Sequence, residues 1–291
     1  MTSVRPRRSA LYMPGSNPRA VAKARTLPAD AVMLDLEDSV APDAKEAARE
    51  AVAAAVREGG FGRREVVIRV NGPATEWGPE DLRAAIAAQP DAILLPKVSA
   101  PEEIAAVEAM LGPDSKTRIW AMIETPLAIL RIEAIAAAAR GGASPFSCMI
   151  LGTNDLAKET RARLVPGRAP MLPWLATVLA AGRAHGLDVL DGVYNGLKDP
   201  EGFRAECEQG RDLGMDGKTL IHPDQIAVAN EIFAPPAAEI EAARAVIAAF
   251  ALPENRGKGV ISLGGRMVER LHAEMAQRTV ALADAIAQAE A

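Results

Sequence analysis

Eight short apolar runs alternate with amphipathic segments along residues 1–234, which predicts an α/β chain of the (β/α)8 TIM-barrel type with a C-terminal helical extension. Two further observations support this. Eight β–α units in about 225 residues match the size of such a barrel. Most runs are also rich in Val, Ile, Leu and Met and bounded by Gly, Pro, Asn or Asp, as buried parallel strands should be. The competing fold, a doubly wound open sheet, predicts a glycine-rich phosphate loop after the first strand. Met13-Pro14-Gly15-Ser16-Asn17-Pro18 is not G-x-G-x-x-G.

In chain order, strands are expected at residues 9–13, 31–36, 65–70, 92–96, 118–123, 148–152, 187–190 and 217–221. Residues 44–57 have helical period, with Ala47, Ala48, Ala51, Val52 and Ala55 on one side and Lys45, Glu46, Arg49 and Glu50 turned away. Pro42-Asp43, Gly78-Pro79-Glu80, Pro101-Glu102-Glu103 and Pro200-Glu201 read as helix starts, with proline early and acid in the first turn. An eighth helical run covers residues 224–233. Past Pro235-Pro236 the pattern changes. Residues 235–291 form an extension in which 239–250 and 266–289 read as helices without strand partners, suited to a lid or an oligomer contact.

Composition narrows the function classes. A net charge of −5 and 3% aromatic residues argue against a nucleic-acid surface. No apolar run approaches the roughly 20 residues needed to span a bilayer, and no signal-peptide h-region follows Arg5, Arg7 and Arg8, so a cytoplasmic location without membrane contact is expected. Cys148 and Cys207 are too few for a disulfide framework or a thiolate zinc site. The three histidines, at 185, 222 and 272, lie too far apart in sequence to suggest a histidine metal site.

Barrel enzymes place their chemistry at the carboxyl ends of the strands. Here those ends carry Asp35, Glu37 and Asp38, then Arg69 and Asn71, Lys97, Glu124, Asn154 and Asp155, Asp191, and His222. Packing alone requires no such convergence. Glu124 and Asp155 close strands five and six, which should be neighbours about 4.8 Å apart. Two carboxylates without Cys or His suit a hard cation, and Mg2+ fits best. Arg69 is then expected as a fork for a substrate carboxylate, and metal and arginine together would stabilise a developing enolate. No G-x-S-x-G elbow provides a serine nucleophile, and the acids around Lys97 disfavour a Schiff base there.

Arg8-Ser9-Ala10-Leu11-Tyr12-Met13-Pro14-Gly15-Ser16, Leu34-Asp35-Leu36-Glu37-Asp38-Ser39-Val40, Val67-Ile68-Arg69-Val70-Asn71 and Leu95-Pro96-Lys97 resemble the citrate lyase β-subunit-like enzymes. So do Ile123-Glu124-Thr125-Pro126, Gly152-Thr153-Asn154-Asp155-Leu156 and Gly217-Lys218-Thr219-Leu220-Ile221-His222-Pro223. These are the CoA-ester lyases of the HpcH/HpaI aldolase superfamily, and the likeness runs in order from about residue 8 to the C-terminus. The resemblance implies a Mg2+-dependent barrel, homotrimeric or homohexameric. Its substrates would be an acyl-CoA such as malyl-, methylmalyl- or citramalyl-CoA, cleaved at a carbon–carbon bond to release a small oxo-acid. It implies Glu124 and Asp155 as metal ligands, Arg69 as the carboxylate grip, and Glu37 and Asp38 as holders of metal-bound waters. Tyr12, Lys23, Ile221 and His222 would line the CoA and substrate path, with Arg19 toward a CoA phosphate. Asn154 would join the substrate contacts, and Asp35 would brace the barrel mouth.

The tail departs from the lyase pattern. Where lyases of the family tend to have G-K-M-I-D, this chain has Gly264-Gly265-Arg266-Met267-Val268-Glu269. The family's aspartate acts as acid/base in a neighbouring subunit's site, and Glu269 is one methylene longer, which matters to a group that must reach a proton at about 3 Å. That tail, with Gly192-Val193-Tyr194-Asn195-Gly196 and Cys207-Glu208-Gln209-Gly210-Arg211-Asp212, resembles the (3S)-malyl-CoA thioesterase subgroup, in which Glu269 would activate water. Lyase chemistry is the first expectation and thioester hydrolysis the alternative. A CoA-independent oxo-acid aldolase stands behind both.

Overall fold

The structure is a computed structural model that describes residues 4–290. It divides into two compact units, one of Arg7–Asn230 and one of residues 231–290 with the segment 4–6.

The first unit contains strands β1 (Ser9–Pro14), β2 (Ala31–Asp35), β3 (Glu65–Arg69), β4 (Ala92–Leu95), β5 (Arg118–Ile123), β6 (Phe146–Leu151), β7 (Asp188–Asp191) and β8 (Gly217–Leu220). They pair in parallel in sequence order, and β1 returns to β8, closing an eight-stranded barrel. Helices follow each strand: α1 (Pro18–Ala24), α2 (Lys45–Glu58), α3 (Gly78–Ala88), α4 (Pro101–Leu111), α5 (Pro126–Leu130), α6 (Ile132–Ala137), α7 (Thr153–Thr160), α8 (Leu172–His185), α9 (Pro200–Leu213) and α10 (Ile226–Phe233). Every strand expected from sequence is present. β6 begins two residues early, where the β5 pairing shifts register between Ile119 and Trp120. Among the described residues no helix is long and apolar enough to cross a membrane.

The pleat decides what each strand delivers. Successive side chains point to opposite faces, so residues two apart share a face. Ala10, Ala31, Met33, Val67, Ala92, Leu94, Trp120, Met122, Cys148, Ile150 and Leu190 fill the barrel interior as one buried cluster. Carried one step further, the same parity puts Tyr12, Asp35, Arg69 and Glu124 on the axis at the carboxyl end. At the opposite end Arg7 donates from Nε and Nη2 to Glu65 at 2.8 and 2.7 Å and lies 4.9 Å over the Trp120 ring, closing the barrel floor. Burial opposes the Arg7 charge, but Glu65 outweighs it and holds the guanidinium above its ordinary value.

Asp191 follows inward-facing Leu190, so it faces outward, into the helix layer. Its carboxylate accepts from Arg168 Nη1 at 2.6 Å and Lys218 Nζ at 2.9 Å, and Lys218 also donates to Glu206 at 2.7 Å and to the Gly192 carbonyl at 2.6 Å. The expectation that strand seven sends a polar group to the mouth is therefore corrected. Asp191 joins a charge network fastening β7 and β8 to α9.

The second unit contains α11 (Ala237–Ala251), strands β9 (Val260–Leu263) and β10 (Arg266–Glu269), and α12 (Arg270–Glu290). Residues 266–269, expected as the start of a long helix, instead pair antiparallel with β9. The cause is Gly264-Gly265, with φ of 55° and 77°, which form the two-residue turn that closes a hairpin. α11 and α12 pack together, with Arg244 and Asp284 paired at 3.1 Å.

Lys218 is fully buried and paired with two carboxylates. Removing one partner of a buried pair costs about 3–5 kcal/mol. Lys218→Met should therefore lower the thermal midpoint by several degrees in scanning calorimetry. An unchanged midpoint would contradict the network.

Candidate active site at the barrel mouth

Asp35, the last residue of β2, is 1% exposed and faces Arg69 at the end of β3. Arg69 donates to it twice, Nε to Oδ1 at 2.6 Å and Nη2 to Oδ2 at 2.7 Å. The backbone N–H groups of Glu37 and Ser39 add bonds at 2.9 and 3.1 Å. Asp35 thus accepts four hydrogen bonds, about its full capacity. Burial would lift its carboxyl, but the Arg69 bonds reverse this and hold it below the usual carboxylate range. Asp35 has no lone pair left for a metal.

Arg69 is also engaged on several sides. Its Nη1 lies 2.8 Å from Glu37 Oε2 and 3.6 Å from Asp38, its guanidinium lies 4.7 Å over the Tyr12 ring, and its side chain is 8% exposed. The fork expected from sequence for a substrate carboxylate lies here against Asp35 and Glu37. Arg69 ties β1, β2 and β3 together, because β2 offers a buried carboxylate directly opposite it. Burial also pushes the Tyr12 phenol up, so it stays neutral, and its hydroxyl lies 3.7 Å from the Met122 sulfur.

Glu37 and Asp38 follow β2 in a loop held from below. Lys45 Nζ donates to the carbonyls of Leu36 and Glu37 at 2.8 and 2.7 Å and to Asn71 Oδ1 at 2.8 Å. Asn71 in turn donates to Leu36 O and Asp81. Glu37 is 7% exposed, whereas Asp38 is open to solvent. Glu37 Oε1 accepts from Lys97 Nζ at 2.8 Å, but buried Oε2 has no hydrogen bond despite its closeness to Arg69. Burial raises the Glu37 carboxyl even against both cations.

Glu124 ends the inward series 120, 122, 124 of β5 and is 1% exposed. Its Oε1 accepts the Lys97 backbone N–H at 2.7 Å. Burial pushes its carboxyl up to about 8, reinforced by the charges of Glu37 and Asp155. Gly152, beyond β6, makes room for it, since a Cβ there would collide with the Glu124 side chain. Asp155 sits in the first turn of α7 and is half-buried, while Asn154 is exposed and exchanges amide hydrogen bonds with Asn195 at 2.8 and 3.2 Å.

Among the described residues no three His, Cys, Asp or Glu side chains gather into a metal cage. Glu124 nevertheless lies within the fields of Glu37 and Asp155, and these carboxylates offer the oxygen donors that suit a hard cation completing its shell with water and substrate. The other sequence candidates sit on their own elements. Arg19 and Lys23, four apart on α1, are exposed. Ile221 is 39% exposed. His222 Nδ1 accepts from the Asp224 amide at 3.2 Å, so that nitrogen caps the turn before α10. Glu269 ends β10 in the second unit, half-buried, its amide donating to His272 at 2.9 Å.

Lys97 is the residue whose role sequence did not reveal. It has φ 53°, a left-handed conformation that costs a non-glycine residue about 1–3 kcal/mol. Leu95-Pro96-Lys97 marks the residue, but nothing in it signals the left-handed turn. Burial opposes its charge, but the Glu37 hydrogen bond and the fields of Glu37 and Glu124 keep the ammonium above its ordinary value, as expected for a lysine that forms no Schiff base.

The family model for HpcH/HpaI aldolase/citrate lyase matches residues 8–223. A (3S)-malyl-CoA thioesterase of Cereibacter sphaeroides is 50% identical over 282 residues, which are 97% of this chain and 96% of that protein. Citrate lyase subunit beta of Escherichia coli is 35% identical, over 91% of this chain and 89% of its own length. The crystal structure of CitE from Mycobacterium tuberculosis in complex with magnesium, acetoacetate and coenzyme A matches with a TM-score of 0.73 at 29% identity, covering 94% of this chain and 97% of that one. The chain is an enzyme of the HpcH/HpaI aldolase/citrate lyase family.

Proposed function

We propose that the chain is a Mg2+-dependent hydrolase of a β-hydroxyacyl-CoA thioester of the (3S)-malyl-CoA type. The observation that carries this reading is the Glu124 carboxyl, 1% exposed at the mouth on the Lys97 amide and within the fields of Glu37 and Asp155. Carboxylates crowded in a low-dielectric mouth favour a bound cation. Likeness to thioesterases over 97% of the chain supports hydrolysis ahead of the carbon–carbon cleavage that the motifs alone favour. Lyase chemistry is the second reading, favoured by the citrate lyase relative at 35% identity.

In this reading Glu124 and Asp155 would hold Mg2+, which would supply Lewis-acid polarisation of a substrate oxygen. Glu37 Oε2 and Asp38 orient water toward that position, and Arg69 keeps Glu37 in place. Tyr12, Asn154, Ile221 and His222 line the acyl path, and Arg19 and Lys23 meet CoA phosphates. Glu269 takes the proton of the attacking water. A C–O bond forms at the thioester carbon, the C–S bond breaks, and the proton goes to the departing CoA thiolate. The exposed side chains of Met267, Leu271 and Met275 in the second unit suit an oligomer contact.

Incubation with (3S)-malyl-CoA and Mg2+ should release free CoA and malate. Acetyl-CoA with glyoxylate would instead establish the lyase. Glu269→Gln should cut hydrolysis by about 100-fold or more, on the scale of a lost general base, and full turnover would exclude Glu269. The raised Glu124 carboxyl makes a stability prediction. Between the ordinary carboxylate range and about pH 8 the folded chain keeps a proton that the unfolded chain has released. Without Mg2+, stability should therefore fall as pH rises through that window, and Glu124→Gln should flatten the fall. Urea unfolding at pH 5, 6.5 and 8 reads both slopes.

A further inference from the structure

A cavity of about 620 Å3 lies away from the mouth, lined by residues that lead into the amino ends of β3, β4 and β5, among them Arg64, Asp91 and Lys116. Small-molecule sites span about 300–1,000 Å3, so it has room for a ligand. Several donors around it are without a partner. The amides of Gly60, Phe61 and Gly62, in the loop between α2 and β3, make no hydrogen bond among the described residues. Gly60 and Gly62 have φ of 84° and 63°, so the loop turns without side chains at these two positions to cover its backbone. Arg64 donates from Nε to Leu27 O and from Nη1 to Phe61 O, the latter at 2.9 Å, while Nη2 has no acceptor among the described residues. Lys116 is exposed and bonded to none of them. Of the lining acids, Asp91 accepts from the Val66 amide at 2.8 Å and Asp114 is exposed. Burial pushes the Arg64 guanidinium down, and no carboxylate offsets it. Consecutive free amides beside cations that lack a counterion suit an anion with several acceptor oxygens.

We propose that this cavity binds a phosphate group, free or carried on a small ester, through the loop amides of Gly60, Phe61 and Gly62, Arg64 Nη2 and Lys116. It is a second ligand site, at the opposite end of the strands from the carboxylates of the mouth, and does not depend on the acyl-CoA reading.

Calorimetric titration with inorganic phosphate, ribose 5-phosphate and ribose, without Mg2+, tests this on wild type, Lys116→Glu, Lys116→Arg and the double variant Arg19→Glu/Lys23→Glu. Ribose 5-phosphate and ribose differ in the phosphate alone. Wild type should bind at least one of the two phosphate compounds and should bind ribose at least 10-fold more weakly or not at all. Tighter binding of the ester identifies an ester site, and equal binding identifies a site for the free anion. Lys116→Glu should weaken the phosphate ligand about 10-fold or more, the loss expected for a charged hydrogen bond. Because Lys116 is exposed and bonded to no described residue, this change leaves the fold intact, which an unchanged thermal midpoint checks. Lys116→Arg should stay within about 3-fold of wild type, and the α1 double variant should bind as wild type does. Wild type that binds neither phosphate compound, or ribose as tightly as its phosphate, would overturn the proposal. Full binding in Lys116→Glu would overturn it too, as would loss of binding in the α1 variant, which would place the phosphate near α1 instead.

Discussion

The Asp35–Arg69 pair is the constraint on which the mouth depends. Both side chains face the barrel axis at the ends of adjacent strands, both are nearly inaccessible, and two bonds of 2.6 and 2.7 Å lock them face to face. Breaking such a pair costs about 3–5 kcal/mol, so its geometry is stiff. That stiffness is passed on. Arg69 presses against Tyr12 and Glu37, and two backbone amides of the following loop fold onto Asp35. With β1, β2 and β3 pinned, Glu37 faces Glu124 and Lys97 across the mouth.

The pair also divides the acids into two kinds. Asp35 is ionised and fully bonded, a structural anion. Glu37 and Glu124 are buried with raised carboxyls, and Glu37 has an acceptor atom without a hydrogen bond. Acids of the second kind are where a cation or a proton gains most, which is why the proposed chemistry is assigned to them.

Much of this was legible in the sequence. The apolar runs located all eight strands, and the switch from apolar to acidic at Leu34-Asp35-Leu36-Glu37-Asp38 marked the mouth. What was missed follows from geometry that residue type does not encode. Counting strand parity from Leu190 would have turned Asp191 outward; noting only that it ends a strand did not. Gly264-Gly265 was readable as a hairpin turn, but the helical composition of 270–290 masked the short strands beside it. The closure of Arg69 onto Asp35 needs the β2–β3 register, which the sequence does not state. Lys97 in a left-handed turn carries no compositional signal at all.

The central claim is that the mouth carboxylates form a cation site whose ligand Glu124 must give up a proton to bind. Mg2+ titration by calorimetry at pH 7, repeated in buffers of different ionisation enthalpy, tests it directly. One Mg2+ should bind per chain with release of close to one proton, because Glu124 titrates near 8, and Glu124→Gln should abolish both the binding and the release. Absence of Mg2+ binding, or binding unchanged in Glu124→Gln, would contradict the account.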